Sequence, residues 1–151
     1  MDTEDPLRVW QHLHGATTHF PIALVFVSAV FDAGALLFKK TNWRTVGYWT
    51  LMATVIMLLP VVASGLYGIY VDAEGKDRMT NGGYNVARTI LWHRNMSFFA
   101  TAFLLIPAIW RTAKRDEITT AARVVCLLFV VIGAAFIAVV GYNGGYIPRG
   151  Y

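Results

Sequence analysis

Four long apolar stretches separated by polar segments dominate the chain and cover residues 20–38, 47–70, 90–110 and 119–142. Because about 20 mostly apolar residues cross the ~30 Å hydrocarbon core of a bilayer, each stretch predicts a transmembrane helix. Aromatic residues, which favour the headgroup region, mark several ends: Trp43, Tyr48, Trp49, Tyr67, Tyr70, Trp92, Trp110 and Tyr142. The pattern predicts an all-α integral membrane protein, a four-transmembrane-helix bundle in a single membrane domain over residues 1–151.

A short amphipathic segment precedes the first apolar stretch. The Asp5-Pro6 pair is typical of a helix start, where Asp caps the helix and Pro fills its first turn. The following positions at helical spacing predict a short N-terminal interfacial helix that Gly15 would end: Leu7, Trp10 and His14. Residues 1–5 lack the basic region of a cleaved signal peptide, so we expect the first stretch to remain as a helix.

The charge distribution predicts the orientation of the helices. Only 15% of the 151 residues are charged and 56% are hydrophobic, so the net charge of +4 does not indicate a nucleic-acid partner. Seven basic residues lie on the side of the two short connections: Lys39, Lys40, Arg44, Arg111, Lys114, Arg115 and Arg123. Five lie on the other side: Arg8, Lys76, Arg78, Arg88 and Arg149. The positive-inside rule therefore predicts a multi-pass protein of the bacterial inner membrane with both termini on the periplasmic, outer side.

Two of the four histidines fall at the same predicted depth. His19 starts the first stretch and His93 lies a few residues into the third, and both helices run inward from the outer face. Imidazoles at one level on two membrane helices are typical of a haem b whose iron takes one nitrogen ligand on each face. Arg94 and Arg88 are candidate partners of the haem propionates. Small residues gather toward this level and leave room for a flat cofactor: Ala23, Ala63, Ser64, Gly65, Gly68, Ser97, Ala100, Ala134, Ala138 and Gly141.

Other roles for these polar residues stay open at this point. His19 and His93 could form only structural hydrogen bonds at the interface or between helices. His12, His14 and His19 could instead form an external copper or zinc site. Asp32 lies about 19 Å deeper than His19 along the first helix, so it belongs to a different site. Either a proton relay or a paired structural role fits that carboxylate.

The sequence carries no pattern of a soluble catalytic site. A Gly-rich phosphate loop, a GxSxG elbow and an HExxH motif are all missing. Cys126 is the only cysteine, which rules out intrachain disulfides and all-thiolate metal sites. No repeat of 20 to 50 residues is obvious. Catalysis by this chain alone is therefore not expected, and a role as a subunit of a membrane oxidoreductase stays open.

Residues 13–24 read Leu-His-Gly-Ala-Thr-Thr-His-Phe-Pro-Ile-Ala-Leu. This segment resembles the opening signature of the domain of unknown function 2231 family, small four-helix bacterial membrane proteins. That signature has a His-Pro pair and, five residues after the first His, the run His-Phe-Pro-Ile-Ala-Leu. His14 and His19 keep the spacing, and Gly15 replaces the usual Pro. The Phe31-Asp32 pair, His93 and the glycine-rich residues 141–146 are also similar to the family, whereas residues 147–149 depart from it.

The resemblance implies the four-helix architecture and marks His14, His19 and His93 as the shared histidines. Family members resemble cytochrome b subunits and can be joined to Rieske iron–sulfur domains, which favours electron transfer. We therefore predict a cytochrome b-like electron-transfer subunit in which His19 and His93 ligate one haem b near the outer face, with His14 as alternative ligand. Expected partners are membrane lipid, other subunits of a larger redox complex, and a c-type cytochrome or a quinone. The alternatives are a cofactor-free structural or assembly subunit and a copper- or zinc-handling membrane protein.

Overall fold

The computed structural model describes residues 6–71, 73–114 and 117–144, and only the backbone of residues 6–13 and 73–75. The described chain forms five helices: α1 (Pro6–Phe38), α2 (Thr41–Tyr70), α3 (Ala73–Thr80), α4 (Gly83–Lys114) and α5 (Thr120–Gly144). All except α3 are long and apolar enough to cross a membrane. The predicted all-α, four-span fold is confirmed. The proposed cap at Asp5 and the tail motif beyond Gly144 lie outside the described residues.

The first helix is longer than predicted. Residues expected to form a separate interfacial helix are instead the first turns of α1, which continues through Gly15 and Pro21. A glycine inside a helix costs only about 1 kcal/mol relative to alanine, and Gly15 sits in open space, so nothing forces a break there. His14 therefore belongs to a membrane-spanning helix, because α1 is continuous from Pro6 to Phe38.

The long connection between the second and third spans also contains more helix than predicted. It holds α3, and α4 begins at Gly83, seven residues before the apolar stretch starts. The backbone N–H of Gly82 bonds the Arg78 carbonyl at 3.2 Å and closes the end of α3. Gly83 has a φ of 82°, a left-handed conformation that favours glycine. Polar α3 carries no apolar stripe, so hydropathy could not identify it.

The four spanning helices form a closed ring. Helix α1 packs against α2 and α5, and α4 packs against the same two helices, so α1 and α4 lie across the bundle from each other. The centre is filled by side chains with no exposed surface: Val25, Leu51, Leu104 and Val130. Large apolar side chains such as Val30, Leu37 and Ile109 point outward, where acyl chains would surround them in a bilayer.

The two helix hairpins, α1–α2 and α4–α5, are equivalent to each other with a sequence offset of 79 residues. Helices α2 and α5 begin at equivalent residues, Thr41 and Thr120. The four buried positions of α2 all have buried equivalents in α5: Gly47, Leu51, Thr54 and Leu58 correspond to Cys126, Val130, Gly133 and Ile137. Four buried positions of α1 behave in the same way: Pro21, Val25, Ser28 and Asp32 correspond to Ala100, Leu104, Pro107 and Arg111. The bundle therefore has approximate twofold symmetry, with α1 equivalent to α4.

Candidate functional site

The fold brings His14 of α1 and His93 of α4 together across the bundle. The two rings are close enough to interact electrostatically, and both side chains are partly buried. They are also equivalent residues of the two hairpins, since their numbers differ by the 79-residue offset. The end of the bundle that contains them is called the histidine end below. Helices α1 and α4 thus each contribute one imidazole to a site on the approximate symmetry axis.

The ring of His14 is held by α2. Its Nδ1 forms a hydrogen bond of 2.7 Å with the Ser64 hydroxyl. That hydroxyl donates its proton to the Val61 carbonyl at 2.9 Å, so we infer that it accepts one from His14 Nδ1. This arrangement leaves the lone pair on Nε2, the usual state of an imidazole that binds a metal through that atom. Gly65 makes room for the ring, because a Cβ there would lie 3.1 Å from His14 Cε1.

The ring of His93 is held less completely. It interacts with the Val140 carbonyl of α5, but its buried Nδ1 has no hydrogen-bond partner of normal geometry among the described residues. Gly144 backs this ring, since a Cβ there would lie 2.8 Å from His93 Cε1. Gly144 is the equivalent of Gly65, so each histidine is backed by the same glycine position of its own hairpin. Buried polar atoms are normally paired, and an exception calls for an explanation.

The structure does not bring His19 to this pair. It lies five residues after His14 on a continuous helix, which turns it about 140° away at 100° per residue, and its side chain is exposed. The residue equivalent to His19 in the second hairpin is Phe98. The role of His19 as a haem ligand remains a prediction, and the packing favours the alternative ligand, His14.

The two predicted propionate partners are in different environments. Arg88 is exposed on α4. Arg94, next to His93, is part of a polar cluster at this end: its Nη1 donates to the Tyr70 hydroxyl of α2, and its Nη2 donates to Asn95 Oδ1 at 2.8 Å. Arg94 is therefore the better placed of the two cations.

The alternative copper or zinc site at His12, His14 and His19 is not seen among the described residues. The side chain of His12 lies outside the described part of the chain. Among the residues that the structure does describe, no three His, Cys, Asp or Glu side chains come together as a possible metal site. The histidine end brings only two imidazoles near each other among the described side chains.

Sequence reasoning missed a second polar pair, at the other end of the same two helices. Arg111 was assigned to the connection after the third span, but α4 extends to Lys114 and buries it. It forms a two-pronged ion pair with Asp32: Nη1 to Oδ2 at 2.5 Å and Nη2 to Oδ1 at 3.0 Å. Asp32 is thus the paired structural residue that was one of its two expected roles.

A spacing in the sequence could have revealed this pair. Asp32 follows His14 by 18 residues and Arg111 follows His93 by 18 residues, which is five helical turns in each case. Residues five whole turns apart share one helix face, about 27 Å apart. The faces of α1 and α4 that meet at the histidines therefore also meet at the ion pair.

Comparison with known proteins identifies the family. Residues 11–147 match the profile of DUF2231, described as a predicted membrane protein. The chain belongs to this family. DUF2231 membership and the four candidate spans together make the protein a multi-pass membrane protein. Searches of curated proteins and of solved structures found no match.

Proposed function

We propose that the protein is an electron-transfer subunit that binds one haem b between His14 and His93, within a larger membrane redox complex. The observation that carries the proposal is the pair of imidazoles at equivalent positions of the two hairpins, close enough to interact electrostatically and each backed by an equivalent glycine. A twofold arrangement of this kind suits an iron that takes one nitrogen ligand on each face of its macrocycle. When bound, haem b would supply one-electron oxidation and reduction.

The side chains around the two histidines fit this group. Ser64 orients the His14 ring and holds its proton on Nδ1, which keeps Nε2 free to coordinate. The unpaired Nδ1 of His93 is a nitrogen that protein contacts among the described residues leave without a partner. Gly65 and Gly144 let the two rings lie directly against the backbones of α2 and α5, where a larger residue would displace them.

Charge near the site supports the same proposal. Haem propionates need cationic or hydrogen-bonding partners, and charge-assisted bonds from arginine are the strongest of these. Arg94 and Tyr70 already form a hydrogen-bonded cluster one residue from His93. In the proposal these two side chains meet the propionates, and exposed Arg88 has a weaker part.

The proposed partners follow from the small size of the chain outside the bilayer. Only short connections and α3 extend beyond the four spans among the described residues. The described residues include no separate docking domain for a soluble donor, so we propose that the protein works beside other subunits. A quinone in the bilayer and a c-type cytochrome at the surface are the proposed electron partners.

The decisive experiment is a reduced-minus-oxidised absorbance spectrum of the full chain in mild detergent, with a pyridine haemochrome assay to count haem per chain. The proposal expects a b-type band at about one haem per chain. It also expects His14→Ala and His93→Ala each to remove the band. His19→Ala is the matched control and should leave it intact.

Each other outcome has a definite meaning. Loss of the band in His19→Ala with retention in His14→Ala would establish the ligand pair predicted from sequence instead. A flat spectrum from folded protein reconstituted with haem would overturn the cofactor proposal. Circular dichroism of every variant shows whether the helices remain.

A second function, that of a cofactor-free structural subunit, is favoured by one observation. The His14–Ser64 hydrogen bond already ties α1 to α2 without any ligand. In that case the protein is colourless, and His14→Gln lowers stability without a spectroscopic effect. The same set of spectra therefore separates the two functions.

A further inference from the structure

A basic cavity lies at the opposite end of the bundle, between the ends of α1, α2, α4 and α5. It measures about 500 Å³ and is next to the two short connections; we call it the short-loop cavity. Five cationic side chains and one carboxylate line it: Lys39, Lys40, Arg44, Arg111, Arg123 and Asp32. The carboxylate is the one described acidic group in this lining.

Among the described lining residues of the short-loop cavity, cations outnumber carboxylates. Asp32 is fully engaged by Arg111, with both of its oxygens accepting hydrogen bonds from that guanidinium. Arg123 lies near enough to Arg44 and Arg111 to be repelled by both. Its Nε is buried and has no hydrogen-bond partner among the described residues. Lys39, Lys40 and Arg123 therefore surround one space in which no further carboxylate is found among the described lining residues.

Simple membrane topology does not account for this arrangement. The positive-inside rule collects basic residues on one side of a membrane but does not require them to share a cavity. Lys114, at the same end of the bundle, is exposed and does not line the cavity. Like charges gathered around one cavity repel one another. An anion in the cavity would relieve that repulsion.

The shape and chemistry of the lining indicate which anion. Hydroxyl groups lie among the cations and can donate to several oxygens at once: Thr41, Thr45, Thr120 and Tyr48. Apolar Leu36 and Trp49 line another part of the wall. We propose that the short-loop cavity binds the phosphate group of an anionic ligand. A lipid phosphodiester suits the mixed lining, since basic pockets between membrane helices are a known form of lipid headgroup recognition.

The proposal goes beyond electron transfer and is independent of the histidine end. Its test is a binding titration of the detergent-solubilised full chain with dihexanoyl-phosphatidylglycerol, dihexanoyl-phosphatidylcholine and inorganic phosphate. A lipid site should bind the anionic lipid at least tenfold more tightly than the zwitterionic lipid. Competition by inorganic phosphate at similar concentration would identify a free phosphate compound as the ligand, and the cavity would still be an anion site.

Variants locate the binding. Lys40→Gln and Arg123→Gln should each weaken phosphatidylglycerol binding about fivefold, which corresponds to about 1 kcal/mol per cation near a membrane surface. The double variant should weaken it about 25-fold if the two contributions add. Lys114→Gln is the matched control, with an expected change below about twofold. Lys40 is exposed, so its replacement leaves the packing intact even if the Arg123 variant folds poorly.

Two results would overturn the proposal. One is binding of the anionic lipid no tighter than that of the zwitterionic lipid, with no binding of phosphate. The other is an equal loss of binding in Lys114→Gln and Lys40→Gln, which would show attraction by overall surface charge. A haem spectrum that is unchanged in all three variants keeps this test separate from that of the histidine end.

Discussion

The two ends of the bundle bring equivalent positions of α1 and α4 together, but the side chains at those positions differ. At each end, a polar residue of α1 meets its equivalent residue of α4 across the symmetry axis. At the histidine end these residues are His14 and His93, and five turns further along they are Asp32 and Arg111. The helix faces are shared, so the contrast between the two ends comes from the side chains alone.

The two ends differ in how completely their buried polar atoms are hydrogen-bonded. Both oxygens of Asp32 accept bonds from Arg111, whose Nη2 also donates to the Arg44 carbonyl at 3.3 Å. Only 9% of each of the two side chains is exposed. By contrast, buried Nδ1 of His93 has no hydrogen-bond partner of normal geometry among the described residues. A polar site whose groups are all hydrogen-bonded is suited to holding helices together, whereas an unsatisfied buried nitrogen calls for an explanation.

The largest effect should come from breaking the ion pair. Asp32→Leu leaves the Arg111 charge buried without its partner, and we expect the free energy of unfolding to fall by about 3–5 kcal/mol. The double variant Asp32→Leu/Arg111→Met should recover most of that loss, since neither charge remains. Denaturant unfolding in detergent, followed by circular dichroism, measures both. A single variant as stable as the double would show that the pair does not hold the bundle.

A smaller effect should come from crowding the same end. A Cβ at Gly47 would lie 2.8 Å from Asp32 Cγ and 3.2 Å from the Asp32 backbone nitrogen. The helix backbone cannot give way easily, so Gly47→Ala should lower the free energy of unfolding by about 1–3 kcal/mol. Gly68→Ala, in open space on the same helix, is the matched control and should not destabilise the protein. Equal unfolding midpoints for the two variants would contradict the close α1–α2 contact.

The histidine end should respond in ligand binding more than in stability. Ser64→Ala removes the hydrogen bond that orients His14, at a cost of about 1 kcal/mol in stability. Haem affinity should fall by about 10–100-fold, as when other groups that orient a metal ligand are removed. Haem titration followed by absorbance checks this. Ser97→Ala serves as control, because Ser97 donates only to the His93 carbonyl of its own helix; an equal loss there would refute the orienting role of Ser64.

The smallest effect on stability should come from substitutions of Tyr48, which lies beside the ion pair. The Tyr48 hydroxyl is 3.1 Å from Thr112 Oγ1, and the Arg111 guanidinium lies 5.6 Å from the centre of the Tyr48 ring. Tyr48→Phe keeps the ring and loses only an exposed bond, so stability should change by less than about 0.5 kcal/mol. Tyr48→Leu also removes the ring and should cost about 0.5–1 kcal/mol more. If both substitutions give the same unfolding midpoint, the ring does not support Arg111.

Much of the fold could be predicted from the sequence, and less of the site. Hydropathy identified the four spans, although the helices extend beyond the apolar stretches by as many as 14 residues, as at Pro6. Depth alone paired His93 with His19, whereas the structure places His93 near His14. The expected helix break at Gly15 had placed His14 outside the membrane helices. The lower helix propensity of glycine costs too little free energy to end a helix that continues into packed turns.

The approximate symmetry of the hairpins was also beyond the sequence pattern. Most equivalent positions carry different residues, such as Asp32 and Arg111 or Ser28 and Pro107, so no repeat is evident on reading the chain. Burial reveals the relation because equivalent faces must pack against the same neighbours. Position in the packed bundle is retained where residue identity is not.

The sequence by itself determined the all-α class, the number of spans and the gathering of basic residues at one end. These features depend on properties of single segments, namely length, apolar content and charge. Such properties decide whether a segment can cross a bilayer. Only the tertiary structure decided that His14 lies near His93 and that Asp32 pairs with Arg111. Those contacts depend on the rotation of each helix about its axis and on helix continuity through Gly15. Both are set by packing between helices that lie far apart in the chain.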